Sequence, residues 1–199
     1  MQRKDAVDQH SRETQRANIL EAARRVFARK GKAATMADVA EAAGVSQGLA
    51  YRYFVSKEQI YRELVEQALE QAALATAQPM HESSATPGQR LALLITQLVE
   101  YRRDHLEFFQ LLDQVVGSDK IPDDVAELIR RRRESFFVEF RQLIVEAQAT
   151  GEVAAGDPDE LVIAVVASLE GLVRFGLHHP EQFHRLCPDP SILLRMLKP

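Results

Sequence analysis

Signals that start and stop α-helices recur from one end of this chain to the other, and no stretch between them alternates like a strand bounded by hairpin turns. Residues 15–29 place Ile19, Ala23, Val26 and Phe27 on one helical stripe, and Gly31 closes it. Thr35, with Asp38 three residues on, reads as an N-cap opening a short helix through Glu41. Ala42, Ala43, Gly44 and Val45 have the small side chains and the glycine of a tight interhelical turn. Ser46 then caps a second short helix that ends near Phe54. Ser56 and Gln59 form a capping box ahead of a long helix bearing Ile60, Leu64 and Ala68, which Pro79 is expected to end.

The second half repeats this grammar. Thr86, Pro87 and Gln89 supply an N-cap, a proline at the first helical position and a glutamine at the third. His105 to about Val116 makes a further apolar helix closed by Gly117 and Ser118. Pro122 opens a long one through about Thr150, ended by Gly151. Asp157 caps residues 158–177, broken by His179 and Pro180, and a last short helix runs from Pro190 to Leu197. The expected fold is all-α, about nine helices without an internal repeat.

With 46% apolar and 27% charged residues among 199, the chain has the balance of a folded globular protein. No uninterrupted apolar run nears the roughly 20 residues of a membrane-spanning helix. The polar start, MQRKDAVDQHSRETQ, lacks the apolar core of a secretory signal, and the single cysteine, Cys187, suits a reducing compartment. The expected location is therefore cytoplasmic, with no membrane partner. The net charge of −4 conceals an asymmetry. Residues 1–62 hold twelve Lys+Arg against seven Asp+Glu, a net +5, which leaves −9 for the rest. A basic head on an acidic body is what a chain with a polyanion at one end would carry, although variation among helix surfaces gives the same sums.

Two short helices joined by Ala-Ala-Gly-Val, with a longer helix on each side, have the layout of a helix-turn-helix. In that layout the first residues of the second helix meet base edges in the major groove, so they must be small or hydrogen-bonding. Ser46, Gln47 and Gly48 meet that demand, and Leu49 offers an apolar contact to a thymine methyl. Ala50 and Phe54, four apart, fall on the opposite face, toward the helix of Val39 and Ala43. Tyr51, Arg52 and Tyr53 come where the groove wall rises as sugar-phosphate; phenols and a guanidinium suit that wall, with Tyr53 equally placed to pack inward. Thr35 can add its hydroxyl and the N–H groups of its helix, and Lys57 a charge.

The stretch ILEAARRVFARKGKAATMADVAEAAGVSQGLAYRYFVSKEQIYRELV, residues 19–65, resembles the DNA-binding domain of the TetR family of bacterial transcriptional regulators. Three blocks carry the resemblance in order and spacing: ILEAARRVFARKG, TMADVAEAAGVSQG and YRYFVSKE. One departure is Ala50, where many relatives carry leucine. The resemblance implies a disordered arm over 1–13, a helix-turn-helix domain over 14–74, and a ligand-binding and dimerisation domain over 75–199 built as an antiparallel helical bundle. It implies a homodimeric repressor released from a palindromic operator by a small-molecule effector, with residues 56–78 as the connecting helix. A transcriptional activator of the same fold, or a helical ligand-binding or adaptor protein without DNA binding, stands as the alternative.

Helix 158–177 is the most apolar in the chain, and its small residues suit a close helix–helix seam. The expected dimer face is Leu161, Val165, Ser168 and Leu172, with Ile192, Leu193 and Met196 from the last helix. Candidate effector contacts are Tyr101, His105, Phe108, Phe109, Leu112, Phe137, Phe140, Arg174 and Phe175, with Phe136 beside them; aromatics at this spacing also make plain core. His178, His179, His184 and Cys187 match no common zinc spacing, and a proline interrupts them. Arg130 to Arg133 has Glu127 and Glu134 at helical spacing, which favours a salt-bridged solvated face over a nucleic-acid patch. No catalytic constellation, metal site or cofactor is expected.

Overall fold

A computed structural model of the protein describes residues 2–82, 84–116 and 123–199. Among them there are ten α-helices and no strand: α1 Gln2–Lys30, α2 Met36–Ala42, α3 Gln47–Tyr53, α4 Lys57–His81, α5 Pro87–Asp104, α6 Leu106–Val116, α7 Asp123–Ala149, α8 Pro158–His178, α9 Pro180–Leu186 and α10 Pro190–Leu194. Single 3-10 turns follow α1 and α10. The chain divides into two compact units. One comprises Met1–Ala68 with Gln110–Val125, the other Leu69–Phe109 with Ala126–Pro199. The division falls inside α4, six residues before the expected boundary at 74/75.

The capping signals are realised where local chemistry dictates them. Thr35 and Asp38 make a reciprocal capping box on α2, Ser46 accepts from the Leu49 N–H at the start of α3, Thr86 and Gln89 box α5, and Asp157 caps α8. At α4 the serine half holds, with Gln59 N–H donating to Ser56 Oγ at 3.3 Å, but the Gln59 side chain accepts from Val55, one residue further back. Two expectations are corrected. Helix α1 runs back through the stretch expected as a disordered arm, because residues 2–30 contain neither proline nor glycine to stop it. Helix α4 continues two residues past Pro79, since a proline in the last turn forfeits one donor without ending the helix at once. The break expected at His179 and Pro180 forms, and beyond it residues 180–186 add a helix the sequence reading did not include, α9, with Pro180 at its first position, where proline is well tolerated. The stops expected at Gly117, Ser118 and Pro122 lie outside the described residues.

In the first unit, Ile19, Ala22, Ala23, Val26 and Phe27 of α1 are buried together with Met36, Val39 and Ala40 of α2, Ala50 and Phe54 at α3, and Ile60, Leu64 and Val65 of α4. This small core fixes α3 from behind. The turn into α3 reverses at Gly44, whose φ of 65° lies in the left-handed region that other residues enter at a cost of about 1 kcal/mol. Lys30 pairs with Asp38 at 2.6 Å, and Phe27 meets Tyr61 with ring centroids 5.5 Å apart.

In the second unit, the core runs through Leu91, Leu94, Ile95, Leu98 and Val99 of α5, Phe140, Leu143, Ile144 and Ala147 of α7, Val162, Val165 and Leu169 of α8, and Leu193 and Leu197 at the C-terminal end. Glu152, in the turn after α7, accepts from Thr86 Oγ1 and from the Gly88 N–H at 3.2 Å, so a carboxylate sits at the positive end of α5. By length and composition alone helix α8 is apolar enough to cross a membrane, although Glu170 and Arg174 interrupt its apolar run, as the sequence reading holds. Its inner face, however, is built into this core, so it folds as a core helix with a second, open apolar face.

Candidate nucleic-acid interface

The seven residues of α3 separate cleanly by depth. Ala50 and Phe54 are fully buried, the latter as the residue that ends the helix, its N–H donating to the Ala50 carbonyl at 3.0 Å. On the other side Ser46, Gln47, Gly48, Tyr51 and Arg52 are exposed, Tyr51 at 48%. Leu49 and Tyr53, four apart, are half-buried on the flank between these faces. Among the described residues none hydrogen-bonds to the side chains of Gln47, Tyr51, Arg52 or Tyr53. The Ser46 hydroxyl alone is engaged, accepting from Leu49 N–H at 3.2 Å to hold the first turn. A helix that presents an unpaired amide, a bare Cα and two unpaired polar tips to one side, while Ala50 and Phe54 hold it from the other, can be inserted into a groove without rearranging its own support.

The two flanking candidates are placed differently from α3. The Thr35 hydroxyl donates to Asp38 Oδ2 at 2.8 Å and accepts from the Asp38 N–H at 3.2 Å, so the capping box absorbs it. Asp38 itself is pushed down to about 2, first by its hydrogen bond from Lys30 and then by those from Thr35, which fixes a negative charge beside the expected phosphate contact. The Lys57 ammonium donates to the Ala34 carbonyl at 3.0 Å and thereby ties α4 to the segment before α2. Arg16, absent from the sequence expectation, sets the back of the head. It forks onto Glu63 of α4 and lies over the Phe54 ring, which ties α1, α3 and α4. Its signal was the basic residue at 16 ahead of the apolar stripe, which spacing alone does not connect to position 54 or 63.

The expected effector contacts fall in separate places. Tyr101 at the end of α5 is packed against His105, Phe109 and Phe108, with centroids at 4.4, 6.1 and 6.2 Å. Phe136, Phe137 and Phe140 form another ring group on α7, with Phe140 in the core. Arg174 is exposed rather than inward-facing, and Phe175, 36% exposed, meets His179. Leu112 belongs to the other unit and is half-buried. The ring cluster contains a residue the sequence expectation missed. Arg102 lies with its guanidinium carbon 5.1 Å from the Phe109 centroid, Nη1 donating to the Leu98 carbonyl at 2.9 Å. Burial pushes it down to about 10, partly countered by Glu170. Its position four residues after Leu98 and seven after Ile95, on the apolar stripe of α5, was the available signal.

The expected dimer face is corrected in part. Val165 and Leu193 are buried in their own chain, because the near-uniform apolarity of α8 conceals which side faces inward. Leu161, Ser168 and Leu172 are half-buried; Ile192 and Met196 are exposed. The open side of α8 is instead Ile163, at 60% exposure, with Ala164, Ala167, Gly171 and Phe175. In the run Arg130 to Arg133, the expected partners are used in part: Arg130 and Arg131 bond Glu127 and Arg130 also bonds Glu134, while Arg133 reaches Glu170 of α8 at 3.3 Å.

Residues 19–64 match the family described as bacterial regulatory proteins, tetR family, and residues 84–174 the tetracyclin repressor-like C-terminal domain. The HTH-type transcriptional regulator BetI of Rhizobium meliloti is 30% identical over 158 residues, 73% of this chain and 74% of that protein. The regulator TtgR of Pseudomonas putida is 28% identical over 172 residues, 83% and 81% of the two chains. The crystal structure of the TetR family regulator PfmR from Thermus thermophilus superposes with a TM-score of 0.75 at 23% identity, covering 91% of this chain and 96% of that one, which shows the same fold. A helix-turn-helix head with an outward-facing α3, a helical C-terminal unit, two family matches and relatives aligned over about three quarters of their length together place the chain in the TetR family of DNA-binding transcriptional regulators, a family of regulators and not of enzymes.

Proposed function

We propose that this protein is a homodimeric cytoplasmic repressor that holds a palindromic operator through α3 and lets go when a small molecule binds its C-terminal unit. The observation that carries the reading is the division of α3 by depth: Gln47, Gly48, Tyr51 and Arg52 project without partners while Ala50 and Phe54 are sealed. Gln47 offers an amide for an adenine edge, Ser46 and Gly48 allow close backbone approach, and Leu49 supplies the thymine-methyl contact. Tyr51, Arg52 and Tyr53 take sugar and phosphate, with Thr35 and Lys57 at the margin, where their hydroxyl and ammonium already serve the head's own structure.

The open apolar side of α8 supports self-association, with Ile192 and Met196 adding exposed apolar surface. Two-fold pairing matches two heads to half-sites about one helical turn apart, roughly 34–36 Å. Effector release is a two-state coupling: the ligand lowers DNA affinity only as far as its affinities for the two states differ. Selection of bound duplexes from a random pool tests the reading. Enrichment of an inverted repeat with half-sites one turn apart is expected, and enrichment of no sequence overturns it. Transcription in vitro from a promoter carrying the selected site then separates repression from activation.

A further inference from the structure

Among the described residues of the C-terminal unit, Arg102 is a cation without a bonded anion. Its Nε is sealed from solvent and has no hydrogen-bond partner. Its one hydrogen bond runs from Nη1 to the Leu98 carbonyl, and the ring of Phe109 covers a face of the guanidinium. The unused edge is therefore Nε with Nη2, the pair of parallel donors that grips a carboxylate in side-on, two-bonded geometry. Glu170 acts on Arg102 only through space and already pairs with Arg133 at 3.3 Å. Arg102 as a whole is half-buried, but a donor sealed from solvent without an acceptor costs about 1–3 kcal/mol in general, so the Nε calls for an acceptor that arrives from outside. The Phe109 ring over Arg102 packs in turn on Tyr101 and Phe108, which extends it into an apolar wall with one phenol. Gln97, earlier on α5, likewise has a buried Oε1 without a donor.

We propose that Arg102 anchors the effector by its carboxylate, the effector being an amphipathic monocarboxylic acid whose apolar portion lies along the Tyr101, Phe108 and Phe109 rings. This rests on the C-terminal unit being the effector domain. The acid binds ionised, its two oxygens accepting from Nε and Nη2, and no covalent step is involved. Because Arg102 is held for binding and not for folding, Arg102→Met keeps the volume of the side chain, removes the unmatched charge and leaves the protein at least as stable.

The test is thermal melting and duplex release with dodecanoate and 4-phenylbutyrate, each beside its neutral alcohol, on the full chain, Arg102→Met and Arg102→Lys. At least one acid should raise the melting point of the natural chain and release the selected duplex, its alcohol binding at least tenfold more weakly. Arg102→Met should melt no lower than the natural chain yet bind that acid at least tenfold more weakly, and Arg102→Lys should restore only part of the difference. Equal binding by acid and alcohol, undiminished binding by Arg102→Met, a fall in its melting point of more than about 5 °C, or no shift with either acid at about 1 mM each overturns the assignment. Release of the duplex by the alcohols independently of Arg102 would overturn the carboxylate while leaving the effector domain in place; a duplex that no compound of a wider library releases would remove the effector reading itself.

Discussion

The guanidinium of Arg16 lies over the ring of Phe54, its carbon 4.7 Å from the centroid, while the same group forks onto Glu63. Phe54 is the residue that ends α3, so one arginine on α1 braces that helix end against α4. Arg16→Ala should lower the stability of the head by about 1 kcal/mol, the scale of a partly exposed cation–π contact with its ion pair. Phe54→Ala should cost about 3–5 kcal/mol by emptying the core behind α3. Urea unfolding followed by circular dichroism measures both, and equal losses would show that the arginine carries far more than its exposure allows.

Operator affinity should respond to the outer face of α3 without a change in melting temperature. Gln47→Ala is expected to cost about 1–3 kcal/mol against the selected duplex and to relax preference at a single base pair. Arg52→Ala should weaken all sequences alike and reduce the slope of log affinity against log salt by about one, as the loss of a single phosphate contact does. Tyr51→Phe should weaken binding as well, through the loss of one hydroxyl. Fluorescence anisotropy over a salt series distinguishes the three.

Acid should act on the α2 cap in a defined window. Asp38 titrates at about 2 in the folded chain against an ordinary 3.8, so its contribution is complete above about pH 4 and disappears as pH falls from there toward 2. Asp38→Asn, which cannot ionise, should unfold at lower urea than the natural chain at about pH 6, and the gap between the two midpoints should close as pH drops through that window. A constant gap from about pH 6 to about 2.5 would show that the hydrogen-bond geometry, rather than the charge, stabilises the cap.

Close packing in the C-terminal unit gives a stability prediction. A Cβ placed on Gly176 would come within 2.9 Å of Leu106 and 3.0 Å of the buried ring of Phe183. Gly176→Ala should therefore destabilise by about 1–3 kcal/mol despite the better helix propensity of alanine. Gly171→Ala, on the open side of the same helix with nothing near its Cβ, should gain or be neutral in a monomer. Differential scanning calorimetry of both variants checks the contrast.

The open face of α8 gives the association prediction. Ile163→Glu places a charge in the middle of that face while leaving Val162 and Val165 in the core. It should convert a dimer to a monomer in sedimentation and reduce affinity for a two-half-site duplex far more than for a single half-site. A dimer that survives the change would move the seam elsewhere.

What the sequence made legible was whatever a few consecutive residues decide. The caps at Thr35, Ser46, Thr86 and Asp157 formed as expected because each needs only a side chain and an N–H two or three residues away. The division of α3 into a buried pair and an exposed face followed from four-residue spacing. Features that needed the rest of the fold were hidden. Val165 and Ile163 are equally apolar, and only the packing of α5 and α7 decides which turns inward. Arg102 looked like one member of a basic helix end until burial separated it from Arg103, which pairs with Asp104 at 3.0 Å. The break at His179 and Pro180 was legible, but the short helix that Pro180 opens was not.

The separation of duties within α3 also has a consequence for how such a chain can diversify. Gln47 and Gly48 touch none of the head's interior, and a side chain added at position 48 would meet open space. On the proposed reading, changes at these two sites should redirect the protein to a new duplex while folding stays intact, whereas positions 50 and 54 have no such latitude. Retargeting would then need only single substitutions at the tip of one short helix, with no compensating repair demanded elsewhere.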